Sequence, residues 1–149
     1  MSTFFGHVSF DGNILAWPEV ADEGQCALDG YVLPVGSTSA LTGAAGSDAC
    51  SRLIETEGIS GLATLDGEFA VAIQESDSSL VLARDVLGLR PLYYAQTSKG
   101  VAFGSSIAAI IDKAELPREP NLEVLRQYLL GEDRRGSATF FSGVSRVLP

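Results

Sequence analysis

Residues 65–73 read Leu-Asp-Gly-Glu-Phe-Ala-Val-Ala-Ile, and this stretch decides the fold. Its bulky side chains fall on one face of an extended chain, while Ala70 and Ala72 fall on the other. A strand that is apolar on both faces suits burial between two layers better than exposure to water on one side. The stretch therefore predicts a central strand of a layered domain.

Upstream, the chain predicts two strands, a long irregular segment and a helix. Residues 1–10 and 14–17 predict strands joined by the turn Asp11-Gly12-Asn13. Glycines interrupt residues 18–46, which predict an irregular segment with one short strand candidate at residues 31–33.

A helix is predicted to begin after Ser47, whose side chain would cap it, and to run from Asp48 to about Glu57. Asp48 would then lie in the first turn, where a carboxylate suits the helix dipole. Gly58 would end the helix.

Downstream, the pattern predicts a hairpin, two more strands and two helices. The loop at residues 75–79 leads into a strand at 80–83, and further strands are predicted at 92–95 and 101–103. A short helix follows to Lys113, and Asn121 caps another that carries Leu122, Leu125 and Leu129 on one stripe and ends at Gly131. These elements predict an α+β fold, a layered α/β/β/α sandwich, in one domain over residues 1–149.

The charge distribution excludes two classes of partner. The chain of 149 residues has 46% apolar residues and a net charge of −9, and no Lys or Arg precedes Arg52. Binding to nucleic acid requires a basic stripe, and binding to an anionic membrane requires a basic patch. We therefore expect neither partner.

Cysteine and histidine content argues against a metal centre or a disulfide scaffold. Cys26 and Cys50 are too few for a disulfide framework, and reduced thiols in a cytoplasmic protein are expected. The single histidine, His7, has no Cys or His partner nearby, so no metal site is predicted. No secretory signal or apolar run of about 18 residues is present.

Four motifs resemble, in order, the class II glutamine amidotransferase domain of the asparagine synthetase family, whose fold is that of the N-terminal nucleophile hydrolases. They are the Leu-x-Gly-x-Phe-Ala strand at 65–73, the Arg-Asp-x-x-Gly-x-x-Pro-Leu-Tyr turn within 82–94, the element Gly-x-x-Phe-x-Ser at 100–105, and the exit segment 139–149. Ordered sets of motifs are far more specific than single ones. Within the turn, Arg84 and Asp85 are predicted to fix the backbone rather than to perform chemistry.

The resemblance implies a catalytic cysteine at the start of the mature chain, with its α-amine as base. Residue 2 of this sequence is Ser2, and neither Cys26 nor Cys50 can lie at a chain terminus. Removal of Met1 would expose Ser2, a weak candidate for an N-terminal nucleophile. No other catalytic residue is predicted.

The substrate-binding motifs of the family are only partly matched. The Arg-Gly-Pro motif that holds the glutamine α-carboxylate is not found. The Asn-Gly-Glu motif, whose Asn side chain and Gly N–H form the oxyanion hole, has its best counterpart in Asp29-Gly30-Tyr31. A carboxylate at position 29 would repel an oxyanion, while Gly30 retains its N–H.

Gly46-Ser47-Asp48 matches the family's Gly-Ser-Asp motif, in which the aspartate binds the substrate α-amine. A plain helix cap is the preferred interpretation, and Asp48 as a retained ligand is the alternative. Residues 43–48 also resemble a phosphate loop, but they lack its first serine and adjacent glycines, so this match is interpreted as accidental.

The sequence is thus interpreted as a glutaminase-like domain without glutaminase activity. It resembles the degenerate domains of lasso-peptide cyclases and β-lactam synthetases, which implies a C-terminal synthetase domain, or a split subunit, that uses ATP and Mg²⁺. A peptide substrate and a homodimer are further expectations. A Ser2-dependent amidohydrolase, a glutamine-hydrolysing asparagine synthase and a stand-alone binding module remain alternatives. A Ser-Gly-Gly-x-Asp-Ser loop encoded beyond Pro149 would identify the ligase.

Overall fold

A computed structural model describes residues 4–18, 26–76, 79–132 and 136–149. Ser2 and the first residues of the predicted N-terminal strand lie outside these ranges. The described elements are, in chain order, β1 (Phe5–Ser9), β2 (Ile14–Ala16), β3 (Cys26–Leu33), β4 (Leu41–Thr42), α1 (Gly43–Glu57), a 3-10 helix (Ile59–Thr64), β5 (Asp66–Ser76), β6 (Ser79–Arg84), β7 (Tyr93–Gln96), β8 (Gly100–Gly104), α2 (Ile107–Lys113), α3 (Leu122–Leu129) and β9 (Val144–Arg146).

The strands form two antiparallel sheets. One has the order β2-β1-β8-β7-β9 and the other the order β4-β3-β5-β6. In the second sheet β3 and β5 pair over their common length, so that Gly30 lies opposite Phe69 and Asp29 opposite Ala70. The predicted mixed α+β class is confirmed.

Three apolar clusters define how the sheets and helices pack. The first lies between α1 and the β3–β5 sheet and contains Phe69, Val71 and Ile73. The second lies between the two sheets and contains Ala70 and Ala72. The third joins the outer face of the β1–β8 sheet to α2. Both faces of β5 are therefore buried, as the alternation of large and small side chains predicts.

Strand β3 is longer than predicted. Residues 26–30 were assigned to the irregular segment, but they pair continuously with β5. The sequence pattern is misleading here because Asp29 and Gly30 interrupt an apolar run, and Gly30 has a φ of +108° within the strand. Pairing with a fully buried neighbour compensates for the weak local preference.

Helix α1 begins five residues earlier than predicted, and the prediction that Ser47 caps it is wrong. Thr42 occupies the N-cap position without a side-chain hydrogen bond, and Ser47 lies in the second turn. The helix extends through Ala44 and Ala45 because alanine favours the helical conformation and no turn is needed. The prediction for Gly58 is confirmed: its φ is +71°, and its N–H donates to Ile54 O at 2.8 Å.

Helix α3 is capped as predicted, and most of its leucine stripe is exposed. The Asn121 side chain accepts a hydrogen bond from Val124 N at 3.2 Å. Of the leucine stripe, Leu122 is 73% exposed and Leu129 is 81% exposed, while Val124 is buried. Two of the three leucines of the predicted stripe are therefore exposed, and Val124 supplies the buried contact of α3.

Cys26 and Cys50 are free and buried in the cluster between α1 and the second sheet. The neighbouring Cys26 thiol and burial raise the pKa of Cys50. Within the described ranges, no three His, Cys, Asp or Glu residues lie close enough together to hold a metal ion. No helix among the same residues is long and apolar enough to cross a membrane.

Candidate functional site

The turn after β6 is built around a buried carboxylate. Asp85 is 3% exposed, and its side chain accepts hydrogen bonds from Leu89 N at 2.9 Å and Arg90 N at 3.1 Å. Arg84 donates to the Gly88 carbonyl and, at 3.2 Å, to Val147 O. The prediction that this Arg-Asp pair fixes the turn is confirmed.

The same turn is attached to the centre of the β3–β5 sheet. Asp85 N donates to Phe69 O at 2.9 Å, and Phe69 lies opposite Gly30 in the register of β3 and β5. Arg90, held by Asp85, is consequently placed next to the candidate oxyanion residue. Local turn geometry in one segment thus positions a cation beside a distant strand.

Asp29, Gly30 and Arg90 form the candidate site. An oxygen of the Asp29 carboxylate lies 4.0 Å from Arg90 Nη1, with the two side chains 31% and 40% exposed. Arg90 Nε is buried and has no hydrogen-bond partner within the described part of the chain. A partly exposed guanidinium with a spare donor can bind a carboxylate or a phosphate oxygen.

Gly30 is required by the geometry of this site. A Cβ atom at this position would overlap the Glu68 carbonyl oxygen and lie 3.2 Å from Arg90 Nε. With its φ of +108°, the residue occupies a backbone region that L side chains rarely adopt. Glycine here brings the backbone close to the arginine.

Asp48 lies in a different neighbourhood. Its carboxylate is exposed on α1 and lies 3.9 Å from Arg52 Nη2, one helical turn away. Among the described residues, no hydrogen bond or ion pair joins the two predicted substrate ligands, Asp48 and Gly30.

Ser47 fills neither the capping role nor another hydrogen-bonding role that the described residues reveal. Its Oγ is buried in α1 without a partner among them. Residues 43–48 are helical, so they do not form a phosphate loop. The candidate nucleophile Ser2 lies outside the described residues.

Arg90 is the site residue that sequence reasoning missed. The family's arginine motif, which holds the substrate carboxylate, is expected within the first 51 residues, and those residues contain no Lys or Arg. The available signal was the position of Arg90 within the turn motif that Asp85 organises. Only the pairing of β3 with β5 reveals that this turn meets Gly30.

Comparison with known proteins identifies the class. The family described as glutamine amidotransferase domain matches residues 37–149, well over half of the chain. The chain therefore belongs to the glutamine amidotransferase domain family.

One relative is asparagine synthetase (glutamine-hydrolyzing) 3 of Bacillus subtilis (strain 168), which is 30% identical over 87 residues. This match covers 57% of the chain and 14% of the relative. The chain thus corresponds to a small part of that synthetase.

Proposed function

We propose that this chain is a glutaminase-like domain that supports an ATP-dependent, amide-forming ligase of the asparagine synthetase type without hydrolysing glutamine. Its fold would be the N-terminal nucleophile hydrolase sandwich with a degenerate active site, as in lasso-peptide cyclases and β-lactam synthetases. The ligase domain, or a split subunit, would adenylate a carboxylate with ATP and Mg²⁺. The substrate, a peptide in the cyclase case, would supply its own nucleophile in place of ammonia.

The observation that carries this proposal is the Asp29 carboxylate beside Gly30. Oxyanion stabilisation requires donors, whereas an ionised carboxylate only accepts hydrogen bonds. Asp29 is also engaged electrostatically, since Arg90 lies 4.0 Å away. Loss of one oxyanion donor typically lowers kcat by about 10²–10³. A glutaminase with Asp29 in place of a donor would be severely impaired.

The exposed side of α3 supports a partner domain. Leu122, Leu129 and the adjacent Leu130 are all more than 60% exposed and lie within nine residues of each other. Contiguous exposed apolar side chains on a protein surface commonly mark a site of contact with another protein. This surface is a candidate for contact with the synthetase domain or subunit, or with a second copy in a homodimer.

The decisive experiment measures ammonia release from L-glutamine by the full-length gene product, after mass spectrometry has confirmed removal of Met1. The proposal predicts background rates for the unaltered protein and for Ser2→Ala alike. A rate above background that disappears in Ser2→Ala would contradict it.

The ligase part is tested separately by substrate-dependent exchange of pyrophosphate into ATP with the same full-length protein. Exchange without glutaminase activity is the expected result. Absence of exchange in a protein whose gene ends near Pro149 would favour a binding module instead.

Arg90 favours a second candidate function, an amidohydrolase that uses Ser2. The guanidinium supplies, next to the Gly30 N–H, a cation that could hold a substrate carboxylate. On this hypothesis L-glutamine binds detectably by calorimetry, and Arg90→Gln weakens binding at least tenfold. Glutaminamide, which lacks the α-carboxylate, is the matched ligand and should not bind. Equal binding of both ligands would exclude this function.

A further inference from the structure

A pocket outside the candidate site is lined by basic residues other than arginine. The sequence contains two lysines and one histidine, and all three line a single cavity of about 330 Å³. The cavity is bounded by β1, β2, the β7–β8 turn and the end of α2, away from Asp29 and Arg90. The lining residues that matter here are His7, Thr97, Ser98, Lys99, Lys113 and Glu115.

His7 is fixed in this pocket by Thr97. The imidazole is 9% exposed, and its Nε2 lies 3.1 Å from Thr97 Oγ1. Thr97 Oγ1 also accepts hydrogen bonds from Lys99 N at 3.1 Å and from Gly100 N at 3.0 Å. The hydroxyl hydrogen has two acceptors within reach, the Gly100 carbonyl oxygen at 3.1 Å and His7 Nε2 at 3.1 Å. Thr97 therefore ties the imidazole to the β7–β8 turn.

The two lysines approach the imidazole from different elements. Lys99 extends from the turn that Thr97 holds, and Lys113 lies in the last turn of α2. Lys113 Nζ lies 4.8 Å from the centre of the Phe5 ring, and Phe5 shares a face of β1 with His7. Three elements thus contribute cationic or protonatable residues to the lining of one cavity.

The two lysines differ from most of the described arginines because they form no ion pair among the described residues. Five ion pairs are formed by described arginines, namely Arg52, Arg90, Arg118 and, twice, Arg126. Among the described residues neither lysine forms an ion pair, although the net charge of the chain is −9. Glu115 is the one carboxylate among the described lining residues. Within this lining the two lysines outnumber the one carboxylate, and Asp11 lines an adjoining cavity that Lys99 also borders.

We propose that this pocket binds a small phosphate-type dianion, either inorganic phosphate or a phosphate monoester. Two ammonium groups match a double negative charge, and the Ser98 and Thr97 hydroxyls lie beside them. The volume holds a phosphate group together with a small organic substituent. This site is independent of the glutaminase-like site and of its proposed role.

His7 couples the binding of the dianion to pH. Burial and the Lys99 ammonium lower the pKa of His7. A bound dianion favours the imidazolium, so binding raises the pKa of His7 and becomes tighter as the pH falls. The Lys99 charge acts on His7, Lys113 and Glu115 line the same cavity, and Asp11 lines an adjoining cavity that Lys99 also borders.

The test uses His7 as its own reporter, because a single histidine gives a single set of imidazole proton resonances. Inorganic phosphate is titrated at pH 7, and sulfate, which stays dianionic, is used to follow the pKa of His7 between pH 5 and 8. We expect a saturable shift with phosphate and a higher pKa of His7 with saturating sulfate. Acetate, a monoanion, should bind more weakly.

Matched variants separate the pocket from general charge effects. Lys99→Gln should weaken phosphate binding about fivefold or more, whereas Arg52→Gln on α1 removes the same charge elsewhere and should leave binding unchanged. Glu115→Gln should tighten binding. Thermal melts establish that each variant is folded. No shift of His7 in the folded wild type, or equal weakening by Lys99→Gln and Arg52→Gln, would overturn the proposal.

Discussion

Asp85 shows how one side chain positions another across the fold. Burial opposes ionisation of Asp85, but backbone groups of Leu89, Arg90 and Phe69, together with the charge of Arg84, more than compensate and lower its pKa. The carboxylate therefore remains charged in the protein interior and receives the N–H groups of the turn. Arg90 reaches Gly30 because Asp85 defines the path of the backbone between them.

Replacing Asp85 by Asn is expected to destabilise the protein by about 2–3 kcal/mol at neutral pH, because an amide cannot accept both backbone N–H groups. The folded-state pKa lies below the ordinary value of 3.8, so the carboxylate's contribution is complete above that value and is lost as the pH falls through the folded-state pKa. Urea unfolding at pH 7 and at pH 3 measures the difference. It should shrink in acid; a constant difference would show that ionisation is irrelevant.

Two effects make glycine necessary at position 30, its positive φ and the lack of space for a Cβ atom. A comparison with Gly36 separates them. Gly30→Ala combines an unfavourable φ with overlap onto the Glu68 carbonyl, whereas Gly36→Ala, with a φ of +78°, has no atom within 4 Å of the new Cβ. We expect Gly36→Ala to cost about 1–2 kcal/mol from conformation alone. Gly30→Ala should cost more. Equal losses in chemical unfolding would show that β3 and β5 separate freely at this point.

At the scale of the element, α1 changes the interpretation of Gly46-Ser47-Asp48. A capping serine would accept a hydrogen bond from a backbone N–H at the helix start. Ser47 instead lies within the helix, and its buried Oγ has no partner among the described residues. Gly46 is also required for packing, because a Cβ there would overlap the Leu28 side chain. The motif therefore sits at the contact between α1 and β3 rather than at a helix terminus.

Ser47→Ala should raise the free energy of unfolding by about 0.5 kcal/mol, since alanine is the better helix former and an unpaired buried hydroxyl is removed. The matched control is Ser106→Ala, because the Ser106 side chain accepts a hydrogen bond from Ala109 N at the start of α2. That change should lower stability by about 0.5–1 kcal/mol. Opposite signs in thermal unfolding are expected. A loss of stability from Ser47→Ala would restore the capping hypothesis.

The elements that sequence analysis predicted well are those with an unambiguous local signal. The alternation in residues 65–73 gave both faces of β5, and Asn121 and Gly58 marked helix ends. The start of β3 was missed because its stability comes from pairing with β5, which no local pattern reports. Arg90 was missed for the same reason: its role depends on a turn docking against a strand sixty residues away.

At the scale of the whole molecule, small side chains of the β3–β5 sheet pack against large ones of the other sheet, such as Val8 and Phe103. Ala27, Ala70 and Ala72 lie in the cluster between the sheets and are completely buried. Larger residues such as Phe69 and Val71 face α1 instead. The small side chains on the inner face of β5 allow the two sheets to lie close together there. The positions of Gly30 and of the turn that contacts it therefore depend on this packing.

Ala72→Leu should therefore destabilise the whole domain, by about 3 kcal/mol, because Ala72 lies between Ala27 on β3 and Leu82 on β6 and its new methyl groups have no free volume. Ala108→Leu adds the same atoms to an exposed position on α2 and serves as the control, with little expected effect. Urea unfolding measures both. If Ala72→Leu were tolerated as well as Ala108→Leu, the sheets would be able to move apart, and the position of Gly30 would not depend on close packing of small residues.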